Sequence, residues 1–489
     1  MEMKHLLPLL VLLPAEVLAE TVLGAYIFHR HGDRTAKAWK PTKLTALGSD
    51  EVYTSGAWYR NRYVASNSTH PILNLASDVA ILSQLSITAP ADNVLQGSAE
   101  GFTQSLYPPA GSAAYQTLAD GTKVQAPLDG YQYIPVNLVT SASTSSSSVE
   151  DSSWLQGSSG CAKAISSSDS YYQTDEYSSI LNKTTAFYQD LLPVYNTTFN
   201  SSKATYKNAY TIYDYVHVSD IHNQSIPSGD LLTNETLHQL QTLADTHEWG
   251  LAYNESEPVR AIAGAVLAAQ ILQGLNTTVT SPLSKTSTQR LGVQFGSYGT
   301  FMSFFGLANL TAASDDFRGI ADYASSMSFE LVTNATVNGT DAPTTVDPAD
   351  VSVRFLFSNG SASDTKPAQE YALFGKAEPL ISWNDFVTNM QGFAIGDTQS
   401  WCQACGNTTG ICASSSSSSS TSSTTSSSNS KSHKISANAA AAAGVCSMLG
   451  FVLLLALVAA LAGFRVVRKA KAPGSITASS TDGMVEKAA

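Results

Sequence analysis

Arg30, His31 and Arg34 crowd together with only Gly32 and Asp33 between them. Like charges repel, so such a cluster is costly to assemble unless an anion sits in it. Guanidinium forks match the oxygens of a phosphate, and a neutral imidazole between them can attack phosphorus. The competing reading is a surface loop with scattered charges. The residues that lead into the cluster favour chemistry. Residues 22–28 form an apolar run with β-branched Val22 and Ile27 and aromatic Tyr26 and Phe28, the pattern of a buried strand. Gly32 then lets the chain turn, and ligands of open α/β sheets bind beyond the C-terminal ends of strands.

Other elements must hold this loop in place. Residues 49–64 predict a helix, with Ser49 as its cap and Asp50 and Glu51 in its first turn. Val52, Tyr59 and Tyr63 share one face, and Gly56 permits close packing. A second helix is expected over 92–104. From about 110 to 245 Gly, Ser and Thr dominate, which reads as an inserted, mainly helical cap with its best helices at 177–196 and 231–249. The core resumes near Pro258. Val259, Ile262, Ala263, Val266, Leu267, Gln270 and Ile271 fit an amphipathic helix ending at Gly274. Strands are expected over 291–295, 327–333 and 351–357. The 489 residues are 43% hydrophobic and 13% charged, enough for a sizeable core, and the net charge of −12 excludes nucleic acid as a natural partner.

At Arg30, His31, Gly32 and Arg34 the chain resembles the histidine acid phosphatases, the branch that includes phytases, whose signature is Arg-His-Gly-x-Arg. The similarity continues through Leu44, Thr45 and Gly48, then Gly56, Arg60, Arg62 and Tyr63, then Ser98 and Ala99 with Leu106, Tyr107, Pro108 and Pro109, and more weakly to about Cys412. The resemblance implies an α/β fold: a phosphoglycerate mutase-like sheet sandwiched by helices, carrying the cap. It also implies that His31 attacks a phosphomonoester to form a phosphohistidine while Arg30 and Arg34 bind the phosphoryl oxygens. The expected ligand is a phosphate monoester or another small anion, with no cofactor and no metal.

Two departures touch the chemistry. The family places another phosphate-binding Arg in a block that here reads Asp92, Asn93, Val94, Leu95, Gln96, Gly97, without an Arg. It also uses a His-Asp pair after a late strand, and Tyr298 and Gly299 take those positions here. Glycine cannot donate a proton, and tyrosine, with an ordinary pKa near 10, is a poor acid. Tyr298 is left to bond a phosphate oxygen or simply to pack. A replacement acid could come from the cap, where Asp214, His217, Asp220 and His222 cluster, although a solvated helical face is the plainer reading. Glu330 and Arg260 are further candidates. Two function classes follow: a histidine acid phosphatase with impaired or altered catalysis, and a non-catalytic phosphatase-fold protein that binds an anionic ligand.

The ends of the chain point to the secretory pathway. Residues 1–19 have the pattern of a signal peptide, with Lys4 and His5 before an apolar stretch. An ectodomain over 20–412 is expected, followed by a Ser/Thr-rich stalk at 413–438. Residues 439–464 carry no charge and are long enough to span a bilayer. Arg465, Arg468, Lys469 and Lys471 follow at once, which places the tail, 465–489, in the cytoplasm. The expectation is a single-pass type I protein whose ectodomain faces the cell exterior or the lumen of an acidic compartment. Glycosylation sequons at Asn67, Asn182, Asn196, Asn200, Asn223, Asn234, Asn254, Asn276, Asn309, Asn334, Asn338, Asn359 and Asn407 agree with it. So do Cys161, Cys402, Cys405 and Cys412, read as two disulfides of undetermined pairing. Cys402 and Cys405 could instead form half a zinc site, but no matching ligand pair is evident.

Overall fold

Strand β1 (Thr21–Arg30) lies in the middle of an eight-stranded sheet, with both of its faces covered. The computed structural model describes residues 20–139, 160–222, 226, 229–283, 288–337, 344–410 and 412–413. The expected signal peptide, transmembrane span and cytoplasmic tail, the stalk beyond Ala413, and Asn223 and Asn338 lie outside the described residues.

The strands that follow are β2 (Leu85–Pro90), a small hairpin of β3 (Tyr115–Thr117) and β4 (Lys123–Gln125), β5 (Asn137–Val139), β6 (Leu291–Gly296), β7 (Ser326–Thr333), β8 (Val351–Ser358), β9 (Gln369–Glu370) and β10 (Leu380–Ser382). The main sheet runs β10-β8-β7-β1-β6-β2-β5, with β9 paired to β8. On one side β1 continues into parallel β6, β2 and β5; on the other it pairs antiparallel with β7, and β7 with β8. A parallel strand covered on both faces needs a continuous apolar sequence, and β1 has one. Its Tyr26 and Phe28 pack among residues of the Ile262–Val279 and Tyr298–Leu307 helices. Ala25 and Ile27 face the Ala46–Tyr59 and Asn93–Leu106 helices.

Two expectations about helix ends need correction. The first helix begins at Ala46, capped by Thr45, whose hydroxyl accepts from Gly48 N; Ser49 lies inside it. This helix closes in a π-helical turn, Arg60–Val64. Gly274 does not end its helix, which runs on to Val279. A Cβ there would lie 2.7 Å from the Tyr26 ring, so the glycine serves close packing against β1. The interval 110–245 carries the helices Asp175–Asp190, Ala209–His222 and Asn234–Ala252, and also β5, which belongs to the main sheet. The four cysteines form two disulfides, Cys161–Cys405 and Cys402–Cys412. The first ties the start of the cap helices to the last described helix, Thr398–Cys405.

Glu330, weighed above as a proton donor, is instead a cross-link within the sheet. Its register partner on β1 is Ala25, five residues before Arg30, or about 17 Å along the strand. Its buried carboxylate accepts from Arg62 Nε at 2.6 Å, the Tyr63 hydroxyl at 2.7 Å and Arg354 at 3.1 Å. Burial pushes the carboxyl pKa up, but Arg62, Tyr63 and Arg354 outweigh it and hold the group below its ordinary 4.5. A depressed carboxyl pKa stabilises the fold above the unfolded value, and that contribution is lost as pH falls through the folded value. Glu330→Gln should therefore cost about 3–5 kcal/mol at neutral pH, the typical penalty for stranding one side of a buried ion pair. Thermal unfolding of both proteins across pH checks this. The gap should shrink below the ordinary carboxylate range; a gap constant with pH contradicts the assignment.

Candidate active site

The loop after β1 is built on backbone contact with the first helix. A Cβ on Gly32 would lie 2.1 Å from the Gly48 carbonyl oxygen, and one on Gly48 would lie 2.1 Å from the Asp33 oxygen. Two facing glycines let the loop sit directly on the helix start. Gly32 N donates to Ser98 Oγ at 3.2 Å, and Asp33 N donates to Glu51 Oε2 at 2.7 Å. Burial, with Asp33 nearby, pushes the Glu51 carboxyl up to about 6. The Thr45 hydroxyl donates to Asp33 Oδ1 at 2.5 Å. The loop is thus fixed from both helices on that face of the sheet.

His31 is buried, and its Nδ1 stands 2.8 Å from the Gly32 carbonyl oxygen. A carbonyl only accepts, so Nδ1 carries the proton and Nε2 keeps its lone pair. Burial, and after it the charges of Arg30 and Arg34, hold the imidazole pKa well below 6.5. It is a neutral base, poised to act as a nucleophile through Nε2.

The two guanidiniums are buried as well. Arg30 Nη1 donates to the Ala321 carbonyl. Arg34 donates to Thr35 O at 3.0 Å, to the Tyr210 hydroxyl at 3.2 Å and to Asp214 Oδ1 at 2.8 Å. The Nε of each arginine has no hydrogen-bond partner. Buried donors are rarely left unpaired, and two on flanking guanidiniums suit an anion.

One aromatic ring meets all three side chains. Tyr323 lies 5.6 Å from the His31 ring, 4.5 Å from Arg30 Cζ and 5.6 Å from Arg34 Cζ. Arg30, Tyr210, Tyr213, Asp214, His217, Ile320, Asp322 and Tyr323 enclose a cavity of 20 Å³, room for about one water molecule.

The cap cluster corrects the expectation of a solvated face. Tyr210, Ile212, Tyr213, Tyr215, Val216 and Val218 are all buried, so the Ala209–His222 helix is apolar nearly all round and packs onto the loop. Asp214 binds Arg34 and also accepts from Lys37 N at 2.7 Å. His222 Nε2 stands 2.6 Å from Asp33 Oδ1. His217 stacks on Tyr213 at 5.3 Å and on Tyr323 at 6.2 Å. Asp220 and His222 are the exposed members of the cluster. Arg260 lies among the cap helices, donating to Gly250 O, Ser167 Oγ and Ser170 Oγ.

The positions in question for the acid leave β6 at the same edge as His31, because Arg30 is in register with Gly296. The Tyr298 hydroxyl donates to Glu248 Oε2 at 2.8 Å, and its ring packs 4.7 Å from Tyr210. Its phenol is committed to the cap, and burial raises its pKa further. A Cβ on Gly299 would meet nothing closer than Ser297 Oγ at 4.0 Å. Ser297, Tyr298 and Gly299 all lack a carboxylate, so a one-residue shift of alignment would not supply the acid. In the block without Arg, Gln96 donates to the Ala89 and Pro90 carbonyls at 3.0 Å, and Asp92 caps its helix. Sequence reasoning missed Tyr323, Tyr210, Glu51 and Asp322, which no local motif marks.

Solved structures share this fold. Phytase from Citrobacter braakii superposes with a TM-score of 0.50 at 12% identity, over 79% of this chain and 99% of its own. Hafnia alvei phytase in complex with tartrate gives 0.50 at 12%, over 79% and 98%. Klebsiella sp. ASR1 phytase gives 0.50 at 10%, over 77% and 97%. No curated protein matches the sequence. The family model of the histidine phosphatase superfamily (branch 2) matches residues 38–358, most of the chain, beginning just past the arginine–histidine cluster. With His31 and its flanking arginines at the end of the central strand, the chain belongs to branch 2 of the histidine phosphatase superfamily.

Proposed function

We propose that this protein hydrolyses phosphate monoesters through a phosphohistidine at His31, and that it is restricted to esters whose leaving group departs without a proton. The observation that carries this reading is the pair of buried, unpartnered Nε–H groups of Arg30 and Arg34 beside a neutral imidazole. In the first step the Nε2 lone pair forms the N–P bond as the P–O bond to the leaving group breaks. Arg30 and Arg34 stabilise charge on the phosphoryl oxygens. In the second step water attacks phosphorus and the N–P bond breaks, releasing inorganic phosphate and neutral His31.

The ion pair between Arg34 and Asp214 supports a second reading. An internal carboxylate already satisfies one phosphate ligand, as suits a phosphatase-fold protein that binds an anionic ligand at the cell surface without turnover. Both readings share the proposed layout: signal peptide 1–19, ectodomain 20–412, stalk 413–438, span 439–464 and cytoplasmic tail 465–489. Exposed sequon residues such as Asn67, Asn182, Asn196 and Asn276 support it. Protease treatment of sealed microsomal vesicles tests it: a tag at Ala489 should be digested while residues 20–412 stay protected, and the reverse pattern would contradict this orientation.

The missing acid makes a kinetic prediction. General acid catalysis is typically worth ~10²–10⁴-fold. An alkoxide needs that proton, whereas a nitrophenolate leaves without it. The full-length protein should therefore turn over p-nitrophenyl phosphate slowly and sugar or inositol phosphates hardly at all, with kcat/KM differing by roughly that factor. His31→Ala should abolish both activities. Tyr298→His with Gly299→Asp should narrow the gap, since Gly299 has open space for a side chain. Equal kcat/KM on the two substrate types would show that another group donates the proton.

A further inference from the structure

Residues 319–325 separate two spaces of very different size. On one side lies the 20 Å³ cavity bounded by Arg30, Asp214, Tyr213, Asp322 and Tyr323, too small for a phosphate. On the other, Ile320 and Ala321 line a cavity of 810 Å³ whose walls include Trp249, Phe305, Phe317 and Tyr371. The ends of the segment are anchored: Gly319 N donates to Asp316 O, Ser325 O accepts from Arg30 N, and Ser325 Oγ donates to Asp322 O and accepts from Gly360 N. Ile320 N donates to Asp245 Oδ1 at 2.9 Å, Asp322 N to Asn359 Oδ1 at 2.8 Å, and Ala324 N to His31 O at 2.9 Å. Arg30 holds the Ala321 carbonyl. Ala324 has φ 55°, a left-handed conformation unfavourable for a residue with a Cβ.

Without a ligand, two buried guanidiniums need compensation, and the face of an aromatic ring supplies part of it. The Tyr323 ring provides that face, with Arg30 at 4.5 Å and Arg34 at 5.6 Å. We propose that residues 319–325 are a gate, with Tyr323 standing in the phosphate's place in the closed state and moving toward the larger cavity when an anion arrives. The proposal rests on the reading of Arg30 and Arg34 as phosphate ligands. A phosphate carries full charge and hydrogen-bond acceptors, so it outcompetes a ring for the same two guanidiniums. The larger cavity, lined by Gly319, Ile320 and Ala321, gives the middle of the segment somewhere to go while Ser325 O stays on Arg30 N at the edge of the sheet.

Calorimetric titration of the full-length protein with inorganic phosphate tests this. Tyr323→Leu should tighten binding roughly tenfold, the affinity equivalent of about one desolvated cation–π contact. Tyr323→Phe keeps the ring and should leave affinity near that of the wild type. Adding Arg30→Ala to Tyr323→Leu should abolish binding. If the wild type binds as tightly as Tyr323→Leu and both depend on Arg30, the gate is overturned and the phosphate site stands. If neither binds phosphate, the site reading fails and the gate with it. Hydrogen exchange of the wild type decides should Tyr323→Leu not fold. Faster exchange of the 319–325 amides with phosphate supports the gate, and slower or unchanged exchange overturns it.

Discussion

Two guanidiniums buried on either side of one imidazole are the constraint on which the rest of this structure depends. Burying a charge is expensive unless something compensates it. The chain compensates with what surrounds the end of β1. Asp214 pairs with Arg34, the Ala321 carbonyl accepts from Arg30, and the Tyr323 ring covers both. These partners come from two distant parts of the chain, so one local charge cluster draws the cap helix, the 319–325 segment and the central strand together. Burial, and after it the same charges, keep the His31 imidazole unprotonated, which a nucleophile needs.

The scaffold around the nucleophile and the positions beside it differ in what they hold. Gly32 against Gly48, Ser98 under the loop, and helices on both faces of β1 all keep the nucleophile's geometry. The positions that the resemblance assigns to a proton donor and a further phosphate ligand hold other groups. Tyr298 is turned to Glu248, Gly299 has no side chain, and Gln96 is spent on backbone carbonyls. On the proposed reading, such a centre keeps attack at phosphorus and charge stabilisation and lacks proton delivery.

The sequence made the central strand, the motif loop and the first two helices legible because their signals are local: an apolar run, a charge cluster, capping residues. It was misleading where two residues could serve the same local purpose. Thr45 and Ser49 are both good caps, and only the docking of Gly48 on the loop selects Thr45. Gly274 looked like a helix end and is a packing contact. The short strand β5 has too few residues to show an alternation. The site's outer half was illegible for a different reason. Asp214 lies 180 residues from Arg34 and Tyr323 is farther still, so their meeting is set by tertiary packing and not by any motif.

The central claim is that His31 Nε2 is a nucleophile toward phosphorus in a site otherwise filled by the chain itself. The most direct measurement is to incubate the full-length protein with an aryl phosphate, quench in alkali to preserve phosphohistidine, and map the modification by tandem mass spectrometry. The account predicts a phosphoryl group on His31, absent when His31 is replaced. Phosphate that binds at Arg30 and Arg34 but never becomes covalently attached to His31 would contradict it.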